Sequence, residues 1–219
     1  MVQEIEARFL EIDMDDLRKK LKKIGAKRIH DMRLYRRQMF ELCGSYMKGY
    51  ARVRDENGTI TATVKTYPKG QKYANEYEVA LGTGTTFEES ISFMESTGLK
   101  KIAYHETIRE KWKTKDGVEV TFDIIPGLPA YTEIEAKGEK QMKDISKKLG
   151  FDMADATYGA YGLLFEHYYG FSEEVFNKGL TEVKFNTIDK VLRKFAKKNR
   201  DLIPKVKRDN LVYYKKATH

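Results

Sequence analysis

The feature that most constrains this chain is a period-two alternation of apolar and ionic side chains, repeated in one segment after another. In "QEIEARFLEI", Glu4, Glu6 and Arg8 alternate with Ile5, Ala7 and Phe9. Successive side chains on a strand point to opposite faces, so the charges share one face and the apolar residues share the other. The pattern returns in "YARVRDENG" with Arg52 and Arg54, in "ITATVKTY" with Thr61, Thr63 and Lys65, and in "NEYEVAL" with Glu76 and Glu78. It returns again with Arg109 and Lys111 in "TIREKW", with Glu119, Thr121 and Asp123 opposite Val118, Val120 and Phe122, and with Glu133 and Glu135 around Ile134. Taken singly, each segment reads as an antiparallel strand with one face on the core and one in water. Closed into a barrel, the same strands turn their ionic faces onto one shared lumen. Buried unpaired charge is prohibitive, so such a lumen must be wet, internally paired and occupied by ions.

Turn residues divide the strands. Gly44-Ser45, Asn57-Gly58 and Pro68-Lys69-Gly70 break the stretch from Ile29 to Leu81 into antiparallel hairpins. Asp116-Gly117 and the bend Pro126-Gly127-Leu128-Pro129 do the same between Ile102 and Ala136. Helices are predicted from Asp13, an N-cap, through Leu17, Leu21 and Ile24 to a stop at Gly25, from Thr85 or Thr86 to Thr97 with a stop at Gly98, and from about Glu139 to Leu149. The simplest closure is an α+β fold, an antiparallel barrel with helices outside.

After about residue 170 the pattern changes. The aromatic "YGAYGLLFEHYYGF" leads to "NTIDKVLRKFAKKNR", read as one helix with a stripe of Ile188, Val191, Leu192 and Phe195. The domain reading is therefore 1–170 for the barrel and 171–219 for a basic, largely helical C-terminal extension. That extension is expected to pack on the exterior or on a second copy of the chain, a homodimer, rather than to supply catalytic groups.

Charged residues make up 34% of the 219 and aromatics 12%, which fits a folded, well-solvated protein rather than a disordered polyelectrolyte. The net charge of +8 points to an anionic partner: nucleotide, polyphosphate or nucleic acid. The basic run from Lys178 to Lys216 allows RNA binding, but a solvated amphipathic helix accounts for it more simply. Cys43 is the single cysteine, so no disulfide framework or thiolate metal cluster is expected, and Cys43 reads as a small hydrophobe. No apolar run approaches the roughly 18 residues of a membrane span, and the chain enters a charged strand at once. A cytoplasmic protein without signal peptide or anchor is expected. His105 and His167 are too few and too far apart for a metal motif, and both read as surface or structural residues. "GTGTT" at 82–86 lacks the lysine of a P-loop and reads as a capped turn.

Chemistry that needs both signs of charge in one lumen is phosphate transfer with a metal. Clustered carboxylates hold a hard divalent cation, while Arg and Lys grip phosphate oxygens, Arg in bidentate geometry. In this light "EIEAR" resembles the Glu-x-Glu-x-Lys signature of the CYTH superfamily, the triphosphate tunnel metalloenzymes. "ARVR", "TATVK", "NEYEV" and "FDIIPGLPAYTEIE" resemble the blocks that follow in that family, in order, over about residues 2–169. The resemblance implies an eight-stranded antiparallel β-tunnel with helices outside. It places Glu4, Glu6, Glu133 and Glu135 around Mg²⁺ or Mn²⁺, supported by Glu76, Glu78 and Asp123, and sets Arg8, Arg52, Arg54, Lys65, Arg109 and Lys111 on a triphosphate. Glu4, Glu6, Arg8, Glu133 and Glu135 would form the catalytic set. It implies metal-dependent hydrolysis of an inorganic, thiamine or nucleoside triphosphate. The alternatives are an adenylyl cyclase of class IV type, making cyclic AMP and pyrophosphate from ATP, and a non-catalytic binder of nucleotide, polyphosphate or RNA. Arg8 stands in place of the usual Lys, Thr107 where a Lys is common, and Pro129 in place of a Gly, which bears on substrate identity more than on the metal.

Overall fold

The computed structural model describes residues 2–3, 5–42, 48–67, 69, 74–159 and 161–218; Glu4, Cys43, the Gly44-Ser45 turn, Pro68 and Gly70 lie outside them. The alternating segments are strands, and they belong to one sheet. In chain order these are β1 (Val2–Gln3), β2 (Ile5–Phe9), β3 (Lys27–Glu41), β4 (Gly49–Glu56), β5 (Ile60–Thr66), β6 (Asn75–Ala80), β7 (Lys100–Lys113), β8 (Glu119–Ile124), β9 (Tyr131–Ala136) and β10 (Glu182–Val183). Neighbours run β1-β6-β5-β4-β3-β7-β8-β9-β2, and β10 adds a short parallel pair to β7. Both ends of that path fall on the N-terminal segment, since β1 pairs with β6 and β2 with β9. The sheet of eight principal antiparallel strands, β2 to β9, thus curls on itself as a tunnel, as the sequence predicts. Asn57 and Gly58 hold φ of 59° and 98°, the paired positive values a tight hairpin turn requires.

Helices cover the outside: α1 (Met14–Lys23), α2 (Phe87–Ser96), α3 (Glu139–Leu149), α4 (Tyr161–Tyr169), α5 (Glu173–Gly179), α6 (Ile188–Phe195) and α7 (Leu202–Thr218). Asp13 caps α1 with bonds of 2.9 and 3.0 Å from the Asp15 and Asp16 amides. Thr86, not Thr85, caps α2 through a full capping box with Glu89. The apolar alternates of the strands meet these helices. Phe9, Val120, Phe122 and Ile134 pack with Leu17 and Leu21 of α1 and with Met142, Ile145 and Leu149 of α3. Each such side chain, fully buried, contributes about 1.5–3 kcal/mol. With the apolar face committed outward, the ionic face has only the lumen.

A second core forms at the β8–β9 bend, where Ile125 and Leu128 meet Phe165, Tyr169, Phe171, Leu192 and Ile203 from the C-terminal helices. The helix predicted across 186–200 is confined to Ile188–Phe195, the length of its apolar stripe. It ends at Ala196, whose φ of −61° and ψ of 127° are extended. The Tyr169 carbonyl captures the Lys197 amide at 2.8 Å and Asn199 donates to the Tyr168 carbonyl at 2.8 Å, which turns the chain into α7. The stripe is covered: Ile188 and Leu192 are buried and Val191 and Phe195 are half-buried against the same core.

Candidate functional site

The curled sheet encloses a cavity of about 740 Å³. Glu6 and Arg8 of β2, Arg52 and Arg54 of β4, Lys65 of β5, Glu76 and Glu78 of β6, Arg109 and Lys111 of β7, and Glu133 and Glu135 of β9 all line it. The alternation that sets them on one face is therefore what brings them together. Glu4 lies outside the described residues. Asp123 does not line the cavity; it is fully buried behind Arg109, which it accepts at 2.6 and 2.9 Å in a bidentate pair, with a third bond of 2.6 Å from the Thr121 hydroxyl.

Two ion networks organise the wall. In the first, Glu133 accepts from Arg8 Nε at 2.5 Å and from Arg109 Nη2 at 2.7 Å, while Arg8 also reaches Glu6 at 3.1 Å and the Gly159 carbonyl. Burial alone pushes the Glu133 carboxyl up, but the two guanidiniums outweigh it and pull its pKa down to about 2. In the second, Arg52 donates to Glu76 at 3.0 Å and to Thr63 at 3.2 Å, Thr63 donates to Glu78 at 2.8 Å, and Arg54 reaches Glu78 at 2.9 Å. Lys65 approaches Glu76 at 3.4 Å. Burial and neighbouring Arg52 push the Arg54 guanidinium pKa down, so two cations are held side by side in the wall.

A third group is carboxylate on carboxylate. Glu6 lies directly opposite Glu135 across β2 and β9, and Glu135 directly opposite Glu119 across β9 and β8. Burial, then Glu119 and Glu6, push the Glu135 carboxyl pKa up. Like charges in direct register destabilise a sheet unless a counter-charge sits among them, and Lys111, paired with Glu119, supplies part of it. Hard carboxylate oxygens opposed in this way fit a divalent cation such as Mg²⁺ or Mn²⁺. Among the described residues, no three such side chains converge into a ready-made cage.

Reading strands one at a time misses Arg37. It lies on β3 in a stretch, Arg33 to Met39, that pairs regularly with β7, but Arg36 and Gln38 on one face and Arg37 on the other leave no apolar and ionic alternation to mark its face. It is 3% exposed, lines the cavity, and donates to the Thr107 hydroxyl at 3.0 Å and to Tyr161 at 2.5 Å. Thr107, fully buried, thus positions a cation supplied by the neighbouring strand. Part of residues 171–219 reaches the cavity: Gly170, at φ of 73°, turns the chain back, and Phe176 and Leu180 line it. His105 is structural rather than superficial, 4% exposed, and also lines it.

Several solved structures share this fold. The PH1012 protein of Pyrococcus horikoshii OT3 superposes with a TM-score of 0.61 at 22% identity, over 74% of this chain and 98% of that one. A conserved hypothetical protein of Pyrococcus furiosus gives 0.60 at 19% identity, over 74% and 99%. A candidate adenylate cyclase of Vibrio parahaemolyticus gives 0.63 at 13% identity, over 75% and 98%. No curated protein matches the chain. The CYTH domain model matches residues 3–157, most of the chain and every strand of the tunnel wall, and the chain belongs to the CYTH domain family.

Proposed function

We propose that this protein is a metal-dependent triphosphatase that holds a triphosphate in the tunnel and releases its terminal phosphate. The observation that carries the reading is the convergence of Arg8, Arg37, Arg52, Arg54, Lys65 and Arg109 with opposed carboxylates in one cavity. The cations grip the phosphate oxygens and neutralise the charge that develops as the terminal P–O bond breaks. Glu6, Glu133 and Glu135, together with Glu4, would hold Mg²⁺ or Mn²⁺, and the cation would supply charge opposite the phosphate oxygens and polarise the attacking water. A carboxylate of the lumen takes the proton from the attacking water. Glu76 and Glu78 keep Arg52 and Arg54 aimed into the cavity, and Asp123 does the same for Arg109. Lys111 and Glu119 close the carboxylate end.

Residues 171–219 act as an extension of a tunnel domain spanning 1–170. No helix among the described residues is long and apolar enough to cross a membrane, and we place the protein in the cytoplasm. Incubation with tripolyphosphate, thiamine triphosphate and ATP, each with Mg²⁺ or Mn²⁺, tests the reading: orthophosphate release supports it. Cyclic AMP and pyrophosphate from ATP replace it with a cyclase, and tight binding without turnover replaces it with a binder.

A further inference from the structure

β6 is an edge over most of its length. β1 pairs with it only at Asn75 and Glu76, and among the described residues no strand pairs with that side of residues 77–80, all four of which are exposed. Register shows which backbone groups face the open side. The Leu81 amide donates to the Ile60 carbonyl of β5 at 2.9 Å, and successive residues of an antiparallel strand turn their N–H and C=O groups to alternate sides. Leu81, Val79 and Tyr77 therefore bond β5, whereas Glu76, Glu78 and Ala80 turn their amides and carbonyls outward. Glu76 meets Val2 of β1 there, but Glu78 and Ala80 meet no strand among the described residues. Such a row is a template for another strand. No proline, lysine or bulge interrupts it. Its one charge, Glu78, is directed into the tunnel, where Arg54 at 2.9 Å and Thr63 at 2.8 Å hold it.

The outer face of the same edge is apolar. A groove of about 510 Å³ lies along it, lined among others by Val64 of β5, Tyr77 and Val79 of β6, and Met94 of α2. On α2, Glu88 pairs with Arg36 of β3 and Glu95 with Lys101 of β7, so Phe93 sits on the opposite flank, toward β6. Phe93, 67% exposed, and Val79, 60%, are the most exposed large apolar side chains among the described residues. The C-terminal stripe, by contrast, is covered by its own core. An open strand edge flanked by an apolar face is a docking surface for a strand.

A second copy of the chain fits this edge, because the edge is complementary to itself in one register. Two identical strands pair antiparallel about a twofold axis. An axis at Glu78 would oppose the two Glu78 side chains directly and set Ala80 against Glu76, whose backbone β1 already engages. An axis at Ala80 would run the pairing past the end of β6 into Gly82. An axis at Val79 sets Glu78 opposite Ala80 of the second copy, twice, and outward groups then meet outward groups in four hydrogen bonds. It lays Val79 on Val79 across the outer face and brings Tyr77 beside Leu81. We propose that two copies of this chain associate edge to edge along β6, with the twofold axis at Val79 and with Tyr77, Val79 and Phe93 buried between them.

Sedimentation velocity of the full chain, from about 1 to 100 µM, tests the association. A dimer is expected within that range, and a wild type that stays monomeric throughout overturns the proposal and leaves the edge to a foreign strand. Val79→Lys and Val79→Glu are each expected to weaken the dimer about a hundredfold or more, because the axis sets each new charge on its own copy and two buried valines are lost. An equimolar mixture of the two variants is expected to recover association, since opposite charges then meet across the axis. A mixture no more associated than either variant alone overturns the axis. Ala80→Pro removes one outward amide and leaves the bonds to β5 untouched, so it is expected to weaken the dimer roughly tenfold or more while Trp112 fluorescence stays native. Undiminished association in Ala80→Pro, or in both Val79 variants, would place the interface elsewhere.

Discussion

Arg52 and Arg54 are held by carboxylates of β6 in the resting tunnel, so a triphosphate that binds there replaces protein acids with phosphate oxygens. A charge-assisted contact is worth about 1.5–3 kcal/mol, so Arg52→Ala and Arg54→Ala are each expected to lower kcat/KM roughly ten- to a hundredfold for any triphosphate turned over. Unchanged kinetics in both variants would remove them from the clamp. Glu6 tests the other pole, because Glu6→Gln keeps the size of the side chain and removes the charge a hard cation needs. Turnover is expected to fall by roughly two orders of magnitude or more, with the Mg²⁺ requirement shifted to higher concentration and the melting temperature little changed. A Glu6→Gln enzyme with wild-type rate and Mg²⁺ dependence contradicts the metal assignment. His105 makes a prediction about stability. Its folded pKa of about 3 lies below its ordinary value of 6.5, so between those limits the unfolded chain binds a proton that the folded chain refuses. Its contribution is thus present above pH 6.5 and lost as pH falls through the window. His105→Phe is expected to flatten the fall of unfolding free energy there by up to about 1.4 kcal/mol per pH unit, read from urea titrations at several pH values. Parallel pH curves for variant and wild type would mean that His105 takes up a proton freely in the folded state.

At the scale of elements, the strands are legible because a two-sided sheet writes itself as alternation, and here both sides are demanding: helices on one, charge on the other. Three things are not legible. One is which acids face one another. Glu119, Glu135 and Glu6 come from three strands, and their direct opposition depends on registers set by turns far away in sequence. Another is Arg37 of β3, hidden because Arg36 and Gln38 make the opposite face polar as well. The ends of the C-terminal helices were also hidden, because the captures at Tyr168 and Tyr169 are tertiary and leave no local sign. Gly127 shows a local signal whose reason is tertiary. The bend it occupies is visible in Pro126-Gly127-Leu128-Pro129, and its φ of 84° favours glycine. The packing adds a second reason. A Cβ at 127 would sit 2.6 Å from Leu192 Cδ1 and 3.0 Å from Ile188 Cγ1, where α6 crosses the bend. Asn210 of α7 also accepts the Gly127 amide at 2.8 Å, and Tyr169 donates to its carbonyl at 2.6 Å. Gly127→Ala is expected to cost about 1–3 kcal/mol from overpacking alone, several degrees in Tm, with α6 displaced from the bend. A wild-type Tm would show that α6 yields freely there.

For the whole molecule, the question is whether tunnel and extension unfold as one unit. The core at the β8–β9 bend draws Ile125, Leu128 and Tyr131 from the sheet and Phe171, Leu180, Leu192 and Ile203 from residues after 170. β10 adds a parallel pair to β7, and Phe185, Ile108 and Ile124 share a further buried cluster. A division in sequence at 170 is therefore not a division in packing. Cutting there would expose Phe165 and Tyr169, each fully buried, and would open the wall that Phe176 and Leu180 complete. Residues in one contiguous core lose their contacts together, so equilibrium unfolding of the full chain is expected to be a single cooperative transition. The chain carries a convenient pair of probes. Its single tryptophan, Trp112, is 3% exposed in the tunnel core and donates to Glu110 at 2.7 Å, so its fluorescence reports the sheet. Far-ultraviolet circular dichroism near the helical minimum reports largely α1 to α7, of which α5, α6 and α7 lie after residue 170. The two curves in urea are expected to share one midpoint and one slope. If helical signal is lost at lower urea while Trp112 fluorescence stays native, the extension is an independent unit, and removal of 171–219 should then leave a folded tunnel with Trp112 still buried.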